Sequence, residues 1–116
     1  MKKYFPIMIF LVTLTFSNIS LAGPGESCHF HGSKPAAETV ILKCAEQRKE
    51  TLVKSGKLDK SWEAIKHSSI DLVDASKGKE WKVQYKNPSL QDKTKINLYI
   101  FFTPPGNFIA SNHTGK

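Results

Sequence analysis

The sequence lacks the short motifs that accompany many enzyme active sites. It contains no G-x-S-x-G, no H-E-x-x-H and no glycine-rich phosphate loop between a strand and a helix. Asp71 and Asp74 stand three residues apart in a predicted strand, so their carboxylates point to opposite faces and cannot cooperate. His67 is followed by two serines, but no acid is placed to orient it as a base. These absences predict a protein that is not an enzyme.

Long hydrophobic runs are also scarce. The main apolar stretch, residues 5–16, is about a dozen residues long and falls short of the roughly 20 needed to span a bilayer. It follows two lysines and precedes Ser20-Leu21-Ala22, which is the order of a secretory signal: positive, apolar, then small-x-small. We therefore predict a signal peptide over residues 1–22 and a mature chain that begins at Gly23. The product is expected to be exported, periplasmic or secreted, with no stable membrane anchor.

Positive charge is in excess but is nowhere concentrated. The formal net charge of +7 falls to +5 when the two leading lysines leave with the signal, and the remaining basic residues form no run. Dispersed charge is typical of a solvated surface, so we expect no nucleic-acid partner. Removing 22 of the 116 residues leaves 94, enough for one domain with one modest core. We predict a monomer with a flexible arm at residues 23–33 and a single domain at residues 34–116.

The spacing of apolar residues predicts a helical first part of this domain and a second part made of strands. Apolar residues recur at helical spacing over residues 34–55, with Ser33 as a cap and Pro35 in the first turn. A short helical turn follows at residues 59–65. Alternating residues then predict four antiparallel strands, near residues 68–75, 80–86, 96–103 and 107–112. The predicted fold class is α+β, with one main helix plus the short helical turn packed on a four-stranded antiparallel sheet and the Leu98 strand inside it.

The predicted third strand is apolar on nearly both faces, which raises the question of what covers its second face. If the helix covers the face of Trp81, Val83 and Tyr85, then Tyr99 and Phe101 stand on the opposite side of the sheet. Exposed aromatic side chains there would form a binding surface for a partner. Sheet register, twist or the polar loop before this strand would instead bury them. Both outcomes are open at this stage.

Cysteine occurs only twice, at Cys28 and Cys44. In an exported chain such a pair is first a disulfide candidate, because the compartment oxidises thiols. The arm that follows Cys28 can extend about 20 Å, and Cys44 lies roughly 15 Å from the start of the predicted helix, so the two can meet. We favour the disulfide. In the alternative, Cys44 is a small buried core residue and Cys28 stays a thiol.

The arm also contains side chains that suit a soft metal ion. Cys28, His29 and His31 combine a thiolate with imidazoles, the ligands that copper(I) and zinc(II) prefer. A closed zinc site would need a fourth ligand from Cys44 or His113, because no paired C-x-x-C is present. Copper or zinc binding is therefore an alternative function, beside the possibility that the histidines have no role. A disulfide would remove the thiolate ligand, so the two readings of Cys28 exclude each other.

Four segments occur in an order that carries a family resemblance. They are GKLDKSW at residues 56–62, EWKV at 80–83 with Asn87-Pro88, LYIF at 98–101 and NHTGK at 112–116. This order resembles a family of small exported bacterial proteins of unknown function, with the helix-on-sheet layout of PepSY-type domains of the cell envelope. The resemblance implies no catalytic residues. Together with the missing enzyme motifs, it predicts a non-catalytic exported protein of unknown role, a protein-interaction module whose partner is another envelope protein.

Overall fold

The structure, a computed structural model, describes residues 28–116. The predicted signal peptide and the first part of the predicted arm, residues 1–27, lie outside the described residues. The elements, in chain order, are α1 (Glu38–Lys54), a first 3-10 turn (Lys60–Ala64), β1 (His67–Ala75), β2 (Gly78–Lys86), a second 3-10 turn (Lys93–Lys95), β3 (Asn97–Phe102) and β4 (Phe108–Asn112). Over the part of the chain that is described, no helix has the length and apolar character that crossing a membrane requires.

The four strands form one antiparallel sheet in the order β1-β2-β3-β4, so each strand pairs with its neighbour in the chain. Val83 at the middle of β2 stands opposite Ile70 of β1 and Ile100 of β3. Strand β3 therefore lies inside the sheet, as predicted, while β1 and β4 form its edges. The predicted α+β class, with one main helix and short turns on a four-stranded antiparallel sheet, is confirmed.

Helix α1 begins later than the sequence predicts. Its N-cap is Ala37, which has an extended backbone and no side-chain cap, so Ser33 does not cap it and Pro35 is not in its first turn. The backbone N–H of Ala36 instead donates to the carbonyl oxygen of Pro104 at 2.9 Å. The predicted start was wrong because the chain before Glu38 is held against the turn that precedes β4, and the helix begins only after this contact.

The core lies between α1 and one face of the sheet. Its largest fully buried side chains include Trp62 of the first 3-10 turn, which is 1% exposed, and Tyr85 of β2, which is 0% exposed. The helix contributes Ile41, Cys44 and Ala45, and the strands contribute Val83, Leu98, Ile100 and Phe102. Burial of these apolar surfaces, at about 25 cal/mol per Å², is the main stabilising term that holds the helix on the sheet.

One lysine is buried in this core. Lys49 is 1% exposed, and its ammonium group donates to the carbonyl oxygen of Ile65, pairs with Glu46 at 3.3 Å and lies 4.9 Å from the centre of the Tyr85 ring. Among the described residues the Tyr85 hydroxyl has no hydrogen-bond partner. Burial, and then the negative charge of Glu46, raise the pKa of Tyr85 above its usual range, so its hydroxyl stays neutral.

Candidate functional site

The structure brings the two cysteines together. The sulfur atoms of Cys28 and Cys44 lie 2.18 Å apart and their Cα atoms 5.8 Å apart, which is the separation of a disulfide. Cys44 belongs to α1 and is 3% exposed. The predicted meeting of the two cysteines is thus confirmed at disulfide distance, and it links the arm to the middle of the helix.

Hydrogen bonds also hold the described part of the arm against the sheet. The N–H of Phe30 donates to Oδ1 of Asn107 at 2.7 Å, and Nδ2 of Asn107 donates to the carbonyl oxygen of Phe30 at 2.8 Å. The Phe30 ring lies so close to Gly106 that a Cβ atom there would approach it to 2.9 Å. Gly106 also has a φ of +114°, so a residue with a side chain would be strained at this position. The turn before β4 therefore positions the arm.

The predicted metal ligands are only partly brought together. The rings of His29 and His31 lie edge to face, with 4.9 Å between their centres. His113 lies elsewhere: its Nδ1 is 2.7 Å from the carbonyl oxygen of Asn97. Within residues 28–116, no group of three or more His, Cys, Asp or Glu side chains is arranged to hold a metal ion. With the cysteines at disulfide distance, two imidazoles remain of the predicted ligand set, and metal binding stays a prediction.

The aromatic pair of β3 is covered rather than widely exposed. Phe101 is 7% exposed, and Tyr99 is half-buried. The ammonium group of Lys82 lies 4.8 Å from the centre of the Tyr99 ring, and a Cβ atom on Gly115 would come within 3.2 Å of the same ring. Phe101 is therefore buried, whereas Tyr99 is covered only in part, by Lys82 and the C-terminal Gly115. The binding role of this pair stays a prediction.

Strand β1, with nine residues against the five of β4, is the longer of the two poorly covered edges of the sheet. None of its nine residues is buried, and Leu72 is 41% exposed although it stands opposite the buried Trp81 of β2. Among the described strands, β1 pairs only with β2, so the backbone groups along its other side form an unpaired edge. Asp71 and Asp74 are exposed along it. An edge of this kind can accept a further strand.

A cleft of about 250 Å³ opens where three distant segments meet: the turn after α1, the loop before β3 and the C-terminal residues. We call it the Trp62 cleft. Apolar surface comes from Leu58, Trp62 and Leu90. The charged residues that line it are of both signs: Lys57, Lys95, Asp59 and Asp92.

Two aspartates shape the walls of the Trp62 cleft by capping the 3-10 turns. Oδ2 of Asp59 accepts the N–H of Ser61 at 3.0 Å, and Oδ1 of Asp92 accepts the N–H of Thr94 at 3.0 Å. Hydrogen bonds from Ser61 and from Thr94 lower the pKa of these two carboxyl groups below its usual range. Both side chains are therefore ionised at neutral pH.

A buried asparagine joins the two walls. Asn87 is 0% exposed; its Nδ2 donates to the hydroxyl of Ser61 at 2.9 Å, and its N–H donates to the carbonyl oxygen of Ile96 at 2.7 Å. Its Oδ1 accepts the N–H of Ser89 at 3.2 Å. The loop before β3 is thus fastened to the first 3-10 turn through a buried side chain that both donates and accepts hydrogen bonds.

His113 completes the Trp62 cleft from the C-terminal side. Its Nδ1 faces the carbonyl oxygen of Asn97 at 2.7 Å, and a carbonyl oxygen can only accept, so Nδ1 carries a hydrogen. The neutral ring then has its lone pair on Nε2. The centre of the ring lies 6.4 Å from that of Trp62.

The Trp62 cleft was not predicted, although the chain contains a local signal for its walls. The tripeptides Asp59-Lys60-Ser61 and Asp92-Lys93-Thr94 share one pattern, an aspartate that accepts the N–H of the residue two positions later. That pattern predicts two similar turns. It does not predict that the turns face each other, because this depends on the sheet and on Asn87.

The fold and these sites define a small α+β domain with one helix on an antiparallel meander and a cysteine pair at disulfide distance. The chain belongs to a family of unknown function, DUF6488, whose model matches residues 1–116. This agrees with the expected membership of a family without assigned function. No curated protein and no solved structure matches the chain.

Proposed function

We propose that this protein is a non-catalytic, exported interaction module that binds an extended segment of another envelope protein along strand β1. Export is supported by the signal-like residues 1–22, and the absence of enzyme motifs from the sequence supports a binding role. The observation that carries the proposal is the unpaired edge of β1 with Leu72 exposed beside it.

An added strand would complete two incomplete features of this edge at once. Its backbone would pair with the unpaired N–H and C=O groups of β1, and its side chains would cover Leu72. The edge also carries the exposed carboxylates of Asp71 and Asp74, a feature that discourages indiscriminate strand pairing. Asp74 already pairs with Lys79 of β2 at 2.9 Å, so a basic side chain of the partner segment would complement Asp71.

Site-specific photo-crosslinking in the producing cells tests this proposal. A photo-reactive phenylalanine derivative would replace Leu72 in one variant and Ile109 in a control variant, because these side chains are equally exposed, at 41% and 42%. We expect the protein with the probe at position 72 to form an adduct with one partner protein, and the control to form none. Mass spectrometry of the adduct then identifies the partner segment.

A synthetic peptide with the sequence of that segment provides the second measurement. Bound along the edge, it should slow hydrogen exchange at the amides of β1 and leave those of β4 unchanged. An adduct of twice the mass of the chain would show self-pairing and overturn the proposal. Equal labelling from positions 72 and 109 would do the same, because it would mean contact without a preferred edge.

Soft-metal binding by the arm is the second candidate, and the close approach of the His29 and His31 rings is the observation that favours it. Titration with copper(I) and zinc(II), before and after reduction, should show binding that is tighter in the reduced protein, because a thiolate is then available at Cys28. The control carries alanine at positions 29 and 31. Binding no tighter than that of the control in either state would end this candidate.

A further inference from the structure

The Trp62 cleft has the size and the lining of a site for a small molecule. Its volume of about 250 Å³ lies just below the range of about 300–1,000 Å³ that is typical of ligand pockets. Trp62 and Leu58 expose little of their surface, 1% and 9%, so the apolar part of the cleft is backed by the core and does not depend on mobile side chains.

The charged groups of the cleft have unused capacity. Over residues 28–116, neither Lys57 nor Lys95 forms an ion pair within 4.0 Å; the two pairs that occur there involve Lys49 and Lys79. Asp59 and Asp92 each accept their capping hydrogen bonds on one oxygen, so the second oxygen of each carboxylate remains available. Groups of both signs are therefore exposed to a ligand, and Lys95 and Asp92 also interact with each other, since Lys95 helps to lower the pKa of Asp92.

The presence of both signs of charge in the cleft favours a zwitterionic ligand over a purely anionic or purely cationic one. A ligand with only a negative group would face two carboxylates as well as two ammonium groups, and a ligand with only a positive group would face the reverse. A ligand with both charges can place each beside its opposite. The apolar lining next to these groups calls for an apolar portion in the same molecule.

The walls are also fixed before any ligand arrives. The caps from Asp59 and Asp92 set the two turns, and the buried Asn87 holds one turn to the loop of the other. A cleft that is already formed does not spend binding energy on ordering its own loops. This matters for a ligand with few atoms, which has little binding energy to spare.

We propose that the Trp62 cleft binds a small zwitterion with an apolar side chain, the chemistry of an apolar amino acid or a short apolar peptide. Its two charged groups would lie among Lys57, Lys95, Asp59 and Asp92, each beside a group of opposite sign, and its side chain against the apolar lining that includes Leu90. None of the residues that line the cleft belongs to β1, so this site is separate from the proposed edge for a protein partner.

Nuclear magnetic resonance titration of the protein, as recovered from producing cells, tests the proposal. The probes are leucine and the dipeptide Leu-Leu, with N-acetyl-leucine and leucinamide as analogues that each lack one charge. We expect saturable amide shifts in the segments that form the cleft with leucine or the dipeptide, and binding weakened about tenfold or more for both analogues. Comparison of the first two probes distinguishes a free amino acid from a peptide as the source.

Two pairs of variants locate the binding. Lys95→Met should weaken binding about fivefold, while Lys60→Met, in the first 3-10 turn but outside the cleft lining, should leave it unchanged. Asp59→Asn keeps a capping side chain but removes the charge, so it should weaken binding relative to Asp71→Asn on β1.

Three results would overturn the proposal. The first is the absence of saturable shifts up to about 10 mM of either probe, since a millimolar site would then be about nine-tenths occupied. The second is equal binding of N-acetyl-leucine, which would show that the ammonium group is not recognised. The third is equal loss of binding in a cleft variant and its control. Each of these outcomes leaves the crosslinking result at Leu72 unaffected, so the two proposals can fail separately.

Discussion

At the scale of single residues, Lys49 shows how this small core tolerates a charge. Its ammonium group contacts three elements: Glu46 within α1, Tyr85 of β2, and the carbonyl oxygen of Ile65 after the first 3-10 turn. A buried charge is costly unless it is paired and hydrogen-bonded, and here both conditions are met. Because Glu46 is 44% exposed, water screens that ion pair, so the bond to Ile65 and the packing of the lysine stem are the stronger contributions.

Substitution of Lys49 separates these contributions. Lys49→Ala removes the stem and leaves the carbonyl oxygen of Ile65 without its donor, so we expect a loss of about 2–4 kcal/mol in the free energy of unfolding. Lys49→Met keeps most of the stem and should cost about half as much or less. Urea denaturation followed by tryptophan fluorescence measures both values. Equal losses in the two variants would show that packing of the stem contributes nothing.

At the scale of elements, β2 was predictable because the face of this strand that meets the helix is dry. Trp81, Val83 and Tyr85 of β2 are buried and alternate with residues that are not, so period-two reading of the sequence gives this strand directly. Local periodicity was insufficient at the start of α1, where the bond from Ala36 to Pro104 joins residues far apart in the chain. Such a contact overrides a local cap signal such as that of Ser33.

The candidate sites show the same division between local and distant information. The cysteine pair was predictable because the arm is long enough to reach Cys44 along the helix and because two cysteines in an exported chain favour a disulfide. The cover on Tyr99 was not predictable in this way, because it comes from Gly115, which follows β4 in the chain. The Trp62 cleft combines three segments, and only its two capping aspartates have a local signature.

At the scale of the whole molecule, the link between Cys28 and Cys44 supports a body with a modest core. The pair encloses a loop with a sequence separation of 16, and crosslinks of this length stabilise a fold by about 3 kcal/mol, chiefly by restricting the unfolded chain. The arm is also held by the two hydrogen bonds between Phe30 and Asn107. Reduction should therefore lower the stability of the whole domain while the arm keeps these local contacts.

The last prediction concerns this crosslink. A double variant, Cys28→Ala with Cys44→Ala, should unfold roughly 10–25 °C below the unreduced parent, since about 3 kcal/mol corresponds to that shift in a domain of this size. Calorimetry of the parent with and without reductant gives the matched comparison: reductant should lower the melting temperature of the parent and leave that of the double variant unchanged. Alanine at position 44 also removes a buried sulfur, so the reduced parent isolates the crosslink from the cavity. If unreduced parent, once denatured, reacts with a thiol reagent at both cysteines, the crosslink is absent and the stability of the domain rests on its core alone.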